Sequence, residues 1–145
     1  MFRSRHLFGL LPVRGIFAIR SGSVDVAEPL SGSSVRVEVD AASFSTGNER
    51  RDSEVRSARL LDTLRYPLIT FVSDRVDTDF VSGTLTVCAV ARPVRLSIVD
   101  RQVHANRFTV RATTRVDRTE FGVTAARGMA ARHLDLMLEV TCVRL

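Results

Sequence analysis

Histidine and cysteine are the side chains of this sequence best suited to bind a transition metal or to perform redox chemistry. The three histidines, His6, His104 and His133, and the two cysteines, Cys88 and Cys142, are far apart in the chain. Metal ligands usually occur as closely spaced pairs, so this spacing predicts no metal site and no cysteine knuckle. No histidine has an obvious carboxylate or nucleophile partner in sequence. We therefore expect no catalytic residues and no cofactor, whereas a cluster of titratable groups with perturbed pKa values in the interior would indicate an enzyme.

The two thiols are predicted to lie on opposite sides of a sheet. Cys142 shares one face of a strand with Leu138 and Val140, whereas Cys88 shares the polar face of its strand with Thr84 and Thr86. A disulfide needs Cβ atoms within roughly 4.5 Å of each other, which opposite faces do not allow. We predict that Cys142 is a buried, unreactive thiol.

Every basic side chain other than histidine is an arginine: 21 arginines face 16 acidic residues, and the net charge is +5. Arg107, Arg111 and Arg115 alternate with Thr109 and Thr113 and could follow a phosphate backbone. Proteins that bind single strands also need aromatic side chains on which bases stack, and none is interleaved here. The pattern favours the solvated outer face of a strand, and we expect no nucleic-acid partner.

One charged segment does not follow the strand pattern. Thr46 and Glu49 have the spacing of a capping box, and Pro67 is expected to end a helix near Arg65. We therefore predict a short helical excursion around residues 47–65. A solvated surface helix is one interpretation. The alternative is a lid over a ligand site, with three side chains facing the ligand: Leu60, Leu61 and Leu64.

Strands must position most of these residues. Apolar and polar side chains alternate at period 2 in residues 35–40, 81–89, 108–116 and 134–142, and more weakly in 13–19, 68–76 and 94–103. About seven or eight amphipathic antiparallel strands are typical of a closed barrel or a sandwich. An eight-stranded barrel is filled by its own side chains or holds one small ligand. Its contents would be apolar, because the inward set is apolar.

The chain of 145 residues suits a single domain, and its 45% apolar and 26% charged residues exclude disorder. No apolar run approaches the roughly 18 residues that span a membrane. The first residues loosely imitate an export signal, but Pro12 and Arg14 interrupt the apolar run. We expect a cytoplasmic protein, or an exported one if the true start lies upstream.

Several motifs, occurring in a fixed order, point to a known family. They are TGNERRD at residues 46–52, RSA at 56–58, YPLITF at 66–71, GTLT at 83–86, RPV at 92–94 and DRTEFGV at 117–123, preceded by RHL at 5–7 and VRGIF at 13–17. In this order they resemble the YceI-like family, from about Phe2 to the last strand. One departure concerns Cys88 and Ala89, which stand where members often have a polar residue and a glycine.

The resemblance implies an all-β fold, a single antiparallel lipocalin-like β-barrel of about eight strands that occupies residues 1–145. Members usually begin with a further half-strand, so we expect the first strand to be truncated. The resemblance also implies non-enzymatic binding or transport of a long-chain isoprenoid lipid, of the polyprenyl or isoprenoid-quinone type. It makes a homodimer plausible. The alternative is a packed barrel that acts as a stress-associated protein-interaction module without bound lipid.

On this interpretation, apolar side chains from separate segments line the lumen. The predicted lumen residues are Phe17, Phe44, Phe71, Leu85, Phe108, Val110, Phe121, Leu136 and Leu138. A head group would be held at the mouth of the barrel by four polar side chains: His6, Arg50, Arg51 and Arg56. The family resemblance places His6 near this mouth, and the charge density of residues 48–62 suggests the arginines.

Overall fold

The computed structural model describes residues 2–4, 7–11, 15–125 and 132–144 of the chain, with side chains for residues 15–125 and 132–143. The strands in this part are β1 (Phe2–Ser4), β2 (Leu7–Leu11), β3 (Gly15–Asp25), β4 (Ser34–Ser45), β5 (Leu68–Val76), β6 (Phe80–Val87), β7 (Val90–Val103), β8 (Arg107–Asp117) and β9 (His133–Arg144). One α-helix, α1 (Glu49–Arg56), follows β4. Two short 3₁₀ helices cover Leu30–Gly32 and Arg118–Phe121.

The strands form one continuous antiparallel ring. From β3 to β9, each strand pairs with the next along the chain. β1 and β2 pair with both β3 and β9, so they act as two halves of one strand and close the ring. The described residues therefore form an eight-position antiparallel barrel. The predicted all-β barrel fold is confirmed.

The inner face of the barrel follows from the register. Phe71 pairs with Val37 on one side and with Leu85 on the other, and Ala112 pairs with Leu138. Directly paired residues point to the same side of a sheet, so these side chains all point inward. The buried apolar cluster of the barrel consists of Phe17, Val37, Val39, Ala41, Phe44, Ile69, Phe71, Val76, Val81, Leu85, Leu96, Ala112, Phe121, Val123, Leu138, Val140 and Cys142.

β-Bulges shift the register at several places and change which residues face inward. In β7 the partner of Ala112 is Ile98, but the partner of Arg111 is Asp100, so Val99 is an extra residue. A second bulge lies in β5, after Ser73. Bulges of this kind bend and twist a strand, which helps a sheet to close into a barrel. They also reverse the simple alternation beyond the bulge.

The turn between β6 and β7 corrects one prediction. Val87 pairs with Val90, so Cys88 and Ala89 form a two-residue turn and do not continue a strand to residue 89. Both have positive φ, 51° and 61°, as a type I′ hairpin requires. Asparagine and glycine are usual at these positions, and their absence from the sequence hid the turn. The placement of Cys88 on the polar face of a strand was therefore wrong.

The helix is shorter than the predicted span of residues 47–65. It begins with Asn48 as its N-cap, whose side chain accepts a hydrogen bond from the backbone of α1, so Thr46 is not the cap. It ends before Ser57, which has extended backbone and donates a hydrogen bond from its hydroxyl to the carbonyl of Glu54, at 2.6 Å. Such side-chain bonds compete with the helical ladder. The following residues form turns up to β5.

Candidate functional site

The predicted lumen residues lie on the inner side of the barrel or at its end. Six of them belong to the buried cluster: Phe17, Phe44, Phe71, Leu85, Phe121 and Leu138. Leu136 is also buried, whereas Phe108 and Val110 are half-buried. The rings of Phe17 and Phe44 meet in a tilted contact, with centroids 5.1 Å apart. The structure thus brings residues from distant segments to one apolar interior.

One end of the barrel, which we call the helix end, is covered by residues 46–67 and 118–125 and by the β6–β7 turn. Leu60 and Leu61 pack against the buried cluster, as the lid interpretation expected. Leu64 is 99% exposed, so its predicted position facing the interior was wrong. The Cys88 thiol lies 3.3 Å from the carbonyl oxygen of Leu61 and connects the turn to this cover.

A buried carboxylate fastens α1 to the end of β4. The Asp52 side chain is buried and accepts hydrogen bonds from the backbone N–H of Thr46 at 3.0 Å and from its hydroxyl at 2.6 Å. Burial alone would raise the pKa of Asp52. The hydrogen bonds from Thr46 and the charges of Arg56 and Arg51 outweigh burial and lower this pKa. Asp52 is therefore ionised and held in place at neutral pH.

The three arginines predicted at the mouth have different surroundings. Arg56 donates from Nε and Nη2 to the carbonyl oxygen of Phe44, at 3.2 and 2.8 Å, so it binds α1 to the barrel wall. It also lies 3.4 Å from a carboxylate oxygen of Glu49. Arg50 and Arg51 are exposed on the helix surface. His6 lies outside the described residues.

A buried arginine organises the other half of the helix end. Arg118 is 7% exposed and donates from Nη1 to the carbonyl oxygens of Val123 and Ala125, at 2.9 and 2.7 Å. Arg92 of β7 donates to the carbonyl oxygen of Glu120 at 3.0 Å. These bonds hold residues 118–125 across the end of the barrel. The sequence did not indicate this role for either arginine.

Asp117 caps the same segment. Its carboxylate accepts hydrogen bonds from the hydroxyl and the backbone N–H of Thr119, at 2.6 and 2.9 Å, and pairs with Arg132 at 2.9 Å. The hydroxyl bond from Thr119 contributes most to lowering the pKa of Asp117 to about 2. Burial opposes this shift, and the backbone bond and Arg132 add to it.

The opposite end, which we call the hairpin end, carries the connections at residues 26–33, 77–79 and 104–106. β6 begins at Phe80, which pairs with Ser97, so the last residues of β7 extend beyond β6 and pair with β8 alone. In this extension Arg101 pairs with Val110 and Val103 pairs with Phe108. Val103 is 80% exposed and Arg101 is also exposed, although both lie at inward positions. The inner side of this β7–β8 extension is therefore exposed to solvent, whereas Leu30, in the connection at residues 26–33, packs against the buried cluster at the same end.

The inner face carries very few charges. Among the inward positions of β3 to β9 whose side chains the structure describes, the register places charged residues only at Arg92 and Arg101. Arg92 is bonded to the cover of the helix end. Arg101 has no carboxylate partner within 4.0 Å among the described residues. Period-2 counting missed it, because the bulge at Val99 moves Arg101 from the outer to the inner side.

The two cysteines have the burial and the raised pKa values of unreactive thiols. The prediction of a buried Cys142 is confirmed, and burial raises the pKa of this thiol to about 11. Burial, with the charge of Asp62, also raises the pKa of Cys88. Both cysteines are free.

His104 lies in the β7–β8 turn and His133 begins β9, and both are exposed. Where the structure describes the chain, no three His, Cys, Asp or Glu side chains form a metal-binding group.

The arginines of β8 lie on the outer face of the barrel, as predicted. Arg111 pairs with Glu139 across the β8–β9 ladder at 3.1 Å, and Arg115 pairs with Asp135 at 3.7 Å. Cross-strand ion pairs on an exposed face contribute little to stability but occupy both charges. Among the described helices, none has the length and apolar character needed to cross a bilayer.

Comparisons with known proteins agree with this architecture. The chain is 29% identical over 154 aligned residues to protein YceI of Escherichia coli O157:H7, covering 99% of this chain and 80% of that protein. The structure of Burkholderia cenocepacia BcnA matches with a TM-score of 0.79 at 20% identity, covering 95% of each chain. A polyisoprenoid binding domain from Saccharophagus degradans matches with a TM-score of 0.71 at 16% identity, covering 99% of this chain and 98% of that one. The family model described as a YceI-like domain matches residues 1–142, and the chain therefore belongs to the YceI-like family.

Proposed function

We propose that this protein is a non-enzymatic carrier that encloses the apolar tail of a long-chain isoprenoid lipid in its barrel. The observation that carries the proposal is a closed ring of strands with an apolar inner face that is covered at the helix end and exposed along the β7–β8 extension at the hairpin end. The polyisoprenoid binding domain of Saccharophagus degradans, which shares the fold, supports this choice of ligand. The proposed lumen contacts are the nine apolar residues predicted from the sequence.

The length of the tail follows from the energetics of burial. Each buried methylene stabilises a complex by about 0.8 kcal/mol, whereas association costs about 4–15 kcal/mol in lost freedom. A ligand with a single isoprene unit gains too little to bind. A tail of several units gains enough, because its favourable energy grows with every unit that leaves water. We therefore expect affinity to rise with chain length until the lumen is filled.

The first experiment is native mass spectrometry of the purified protein, followed by organic extraction of any bound molecule. A series of isoprenoid alcohols with 10, 20 and 40 carbons, numbers chosen to span roughly 2 to 8 isoprene units, is then added to delipidated protein. We expect a bound isoprenoid mass, with retention that increases along the series. If the native mass stayed that of the chain alone after incubation with each of the alcohols, the proposal would be contradicted.

Two kinds of variant test whether the barrel interior is the site. Leu136→Arg or Phe71→Asp places a charge on the inner face and should abolish ligand retention. Because either change also threatens folding, Val110→Phe is the gentler test. Val110 is half-buried and inward, so a larger ring there should narrow the lumen in a folded protein. Thr109→Phe, on the outer side of the same strand, is the matched control. Equal retention by both phenylalanine variants would exclude the interior as the site.

The alternative function keeps the barrel packed shut. Its support is that most predicted lumen residues already belong to one buried cluster. In that case the protein acts through its surface as an interaction module. The alternative predicts no uptake of any alcohol in the series and no effect of Val110→Phe on the bound mass.

A further inference from the structure

We propose that the hairpin end is the mouth of the barrel and that Arg101 binds an anionic head group there, a phosphate or a carboxylate. This inference rests on the proposed function and deepens it, because it assigns the orientation of the ligand and the charge of its head. The tail would point toward the helix end, and the head would stay at the surface beside the β7–β8 hairpin.

The first argument is the difference between the two ends. At the helix end, the charged side chains nearest the interior already have partners. Asp52 is bonded to Thr46, Arg56 to the carbonyl of Phe44, and Arg118 to two carbonyls of its own loop. Leu60 and Leu61 pack over the cluster. A ligand would have to break these contacts to pass through the helix end.

The hairpin end presents an apolar path without such a cover over β7 and β8. Beyond Ile98, whose N–H donates to the carbonyl of Asp79 at 2.9 Å, β7 no longer has β6 beside it. The exposed inner side of the hairpin carries Val103 next to half-buried Phe108 and Val110. These apolar side chains extend the inner face from the solvent toward the buried part of the barrel, and Arg101 is the polar residue that lies among them.

The second argument is the charge on this path. Arg101 lies directly opposite Val110, at the border between the exposed hairpin and the apolar interior. Its neighbour Asp100 pairs in register with Arg111 on the outer side, so it does not neutralise Arg101 from within. A guanidinium offers several donors to phosphate or carboxylate oxygens, and its bonds to them are charge-assisted. A tail in the lumen would place an anionic head beside it.

The experiment compares two probes with the same tail, geranylgeranyl monophosphate and geranylgeraniol, on the full chain. Wild-type protein should bind the phosphate about tenfold more tightly than the alcohol, and the difference should shrink at high salt. Arg101→Gln should remove this preference and leave the affinity for the alcohol unchanged. Arg107→Gln is the matched control, because Arg107 is an exposed arginine at an outer position of the same hairpin. It should leave both affinities unchanged.

A further variant tests the opposite orientation. Arg51→Gln removes an exposed charge at the helix end, where the sequence predicted the head group. If this variant lost the phosphate preference and Arg101→Gln kept it, the mouth would be the helix end and our assignment would be wrong. If Arg101→Gln and Arg107→Gln lost the preference for the phosphate equally, the preference would come from net charge and not from one site. That result would also contradict the assignment.

Two more outcomes separate this inference from the proposed function. Binding of the alcohol without any preference for the phosphate would overturn the role of Arg101 and leave the lipid carrier intact. Failure of both probes to bind wild-type protein would overturn the carrier and, with it, this inference. Inorganic phosphate should not displace geranylgeranyl monophosphate at equal concentration. Displacement would indicate a site for free anions and contradict a head-group site.

Discussion

Gly83 on β6 is the residue whose replacement should disturb the barrel wall most directly. It pairs with Ser73, next to the bulge of β5, and faces the interior. A Cβ atom at this position would lie 2.2 Å from the carbonyl oxygen of Val72, 2.7 Å from the Cα of Ser73 and 2.9 Å from the Cζ of Phe71. The two nearest atoms belong to the backbone, so a rotation of one side chain cannot relieve the overlap.

The expected cost of Gly83→Ala follows from this geometry. Attractive contact between carbon atoms begins near 3.5 Å, so β5 must move away by roughly 1 Å to accept the methyl group. Such overpacking costs about 1–3 kcal/mol, and each ladder hydrogen bond stretched by the movement costs about 1 kcal/mol more. We expect a loss of about 3 kcal/mol in the free energy of unfolding. For a chain of this size, that loss lowers Tm by roughly 6–12 °C.

Urea unfolding followed by circular dichroism measures this loss, and Gly32→Ala is the control. Gly32 lies in the connection between β3 and β4, and a Cβ atom there would meet only the Cβ of Ala27, at 3.4 Å. Its replacement should change the free energy of unfolding by less than about 0.5 kcal/mol. If Gly83→Ala were as mild as Gly32→Ala, the close approach of β5 and β6 at the bulge would not exist as described.

Three further predictions concern the β6–β7 turn, the loss of stability at low pH and the reactivity of the two thiols. Ala89→Gly should stabilise the fold by about 1 kcal/mol in urea unfolding, because Ala89 has positive φ, whereas Ala91→Gly on the neighbouring strand should destabilise it. Asp117 has a lowered pKa in the folded state, so its stabilising contribution is present above about pH 4 and is lost as pH falls toward 2. Asp117→Asn should therefore have a smaller free energy of unfolding at pH 7. Between about pH 4 and pH 2 this free energy should fall less in the variant than in the wild-type protein. A thiol reagent at pH 7 should modify Cys142 only after denaturation and Cys88 slowly, as measured by mass spectrometry, and rapid labelling of Cys142 in the native protein would contradict its burial.

Much of the fold could be predicted from the sequence, because the alternation of side chains in a barrel wall is local. The valines at 35, 37 and 39 and the leucines at 134, 136 and 138 mark their strands directly. What alternation could not predict were the irregular points. Cys88 and Ala89 form a type I′ turn without its usual residues, and Ser57 ends the helix early through its own side chain. The turn depends on the pairing of β6 with β7, which no local pattern records, and the helix end depends on a side-chain bond that competes with further helical bonds.

The apolar residues of the candidate site could be predicted from the sequence better than its polar residues. The inward apolar set followed from period 2 and from aromatic residues on separate segments. The polar residues at the ends did not. Arg101 reaches the inner side only because the bulge inserts Val99, and Arg118 is buried only because its guanidinium finds carbonyl oxygens of the following loop. Register shifts and hydrogen bonds to loop carbonyls arise in three dimensions, so nothing in the sequence alone singled out either residue.

The two ends of the barrel differ for a physical reason that bears on function. A buried polar group is tolerated only where it finds partners, and once satisfied it specifies one local arrangement. Asp52 and Arg118, the charged residues among the buried positions, both lie at the helix end and are fully engaged there. At the hairpin end the buried polar residue is the uncharged Ser33, whose hydroxyl oxygen accepts a hydrogen bond from the N–H of Ala27, and Val103 and Arg101 are exposed on the inner side. A carrier for a molecule with an apolar tail and a charged head needs one fixed, closed end and one exposed, charged end, and the buried charged residues mark the helix end as the fixed one.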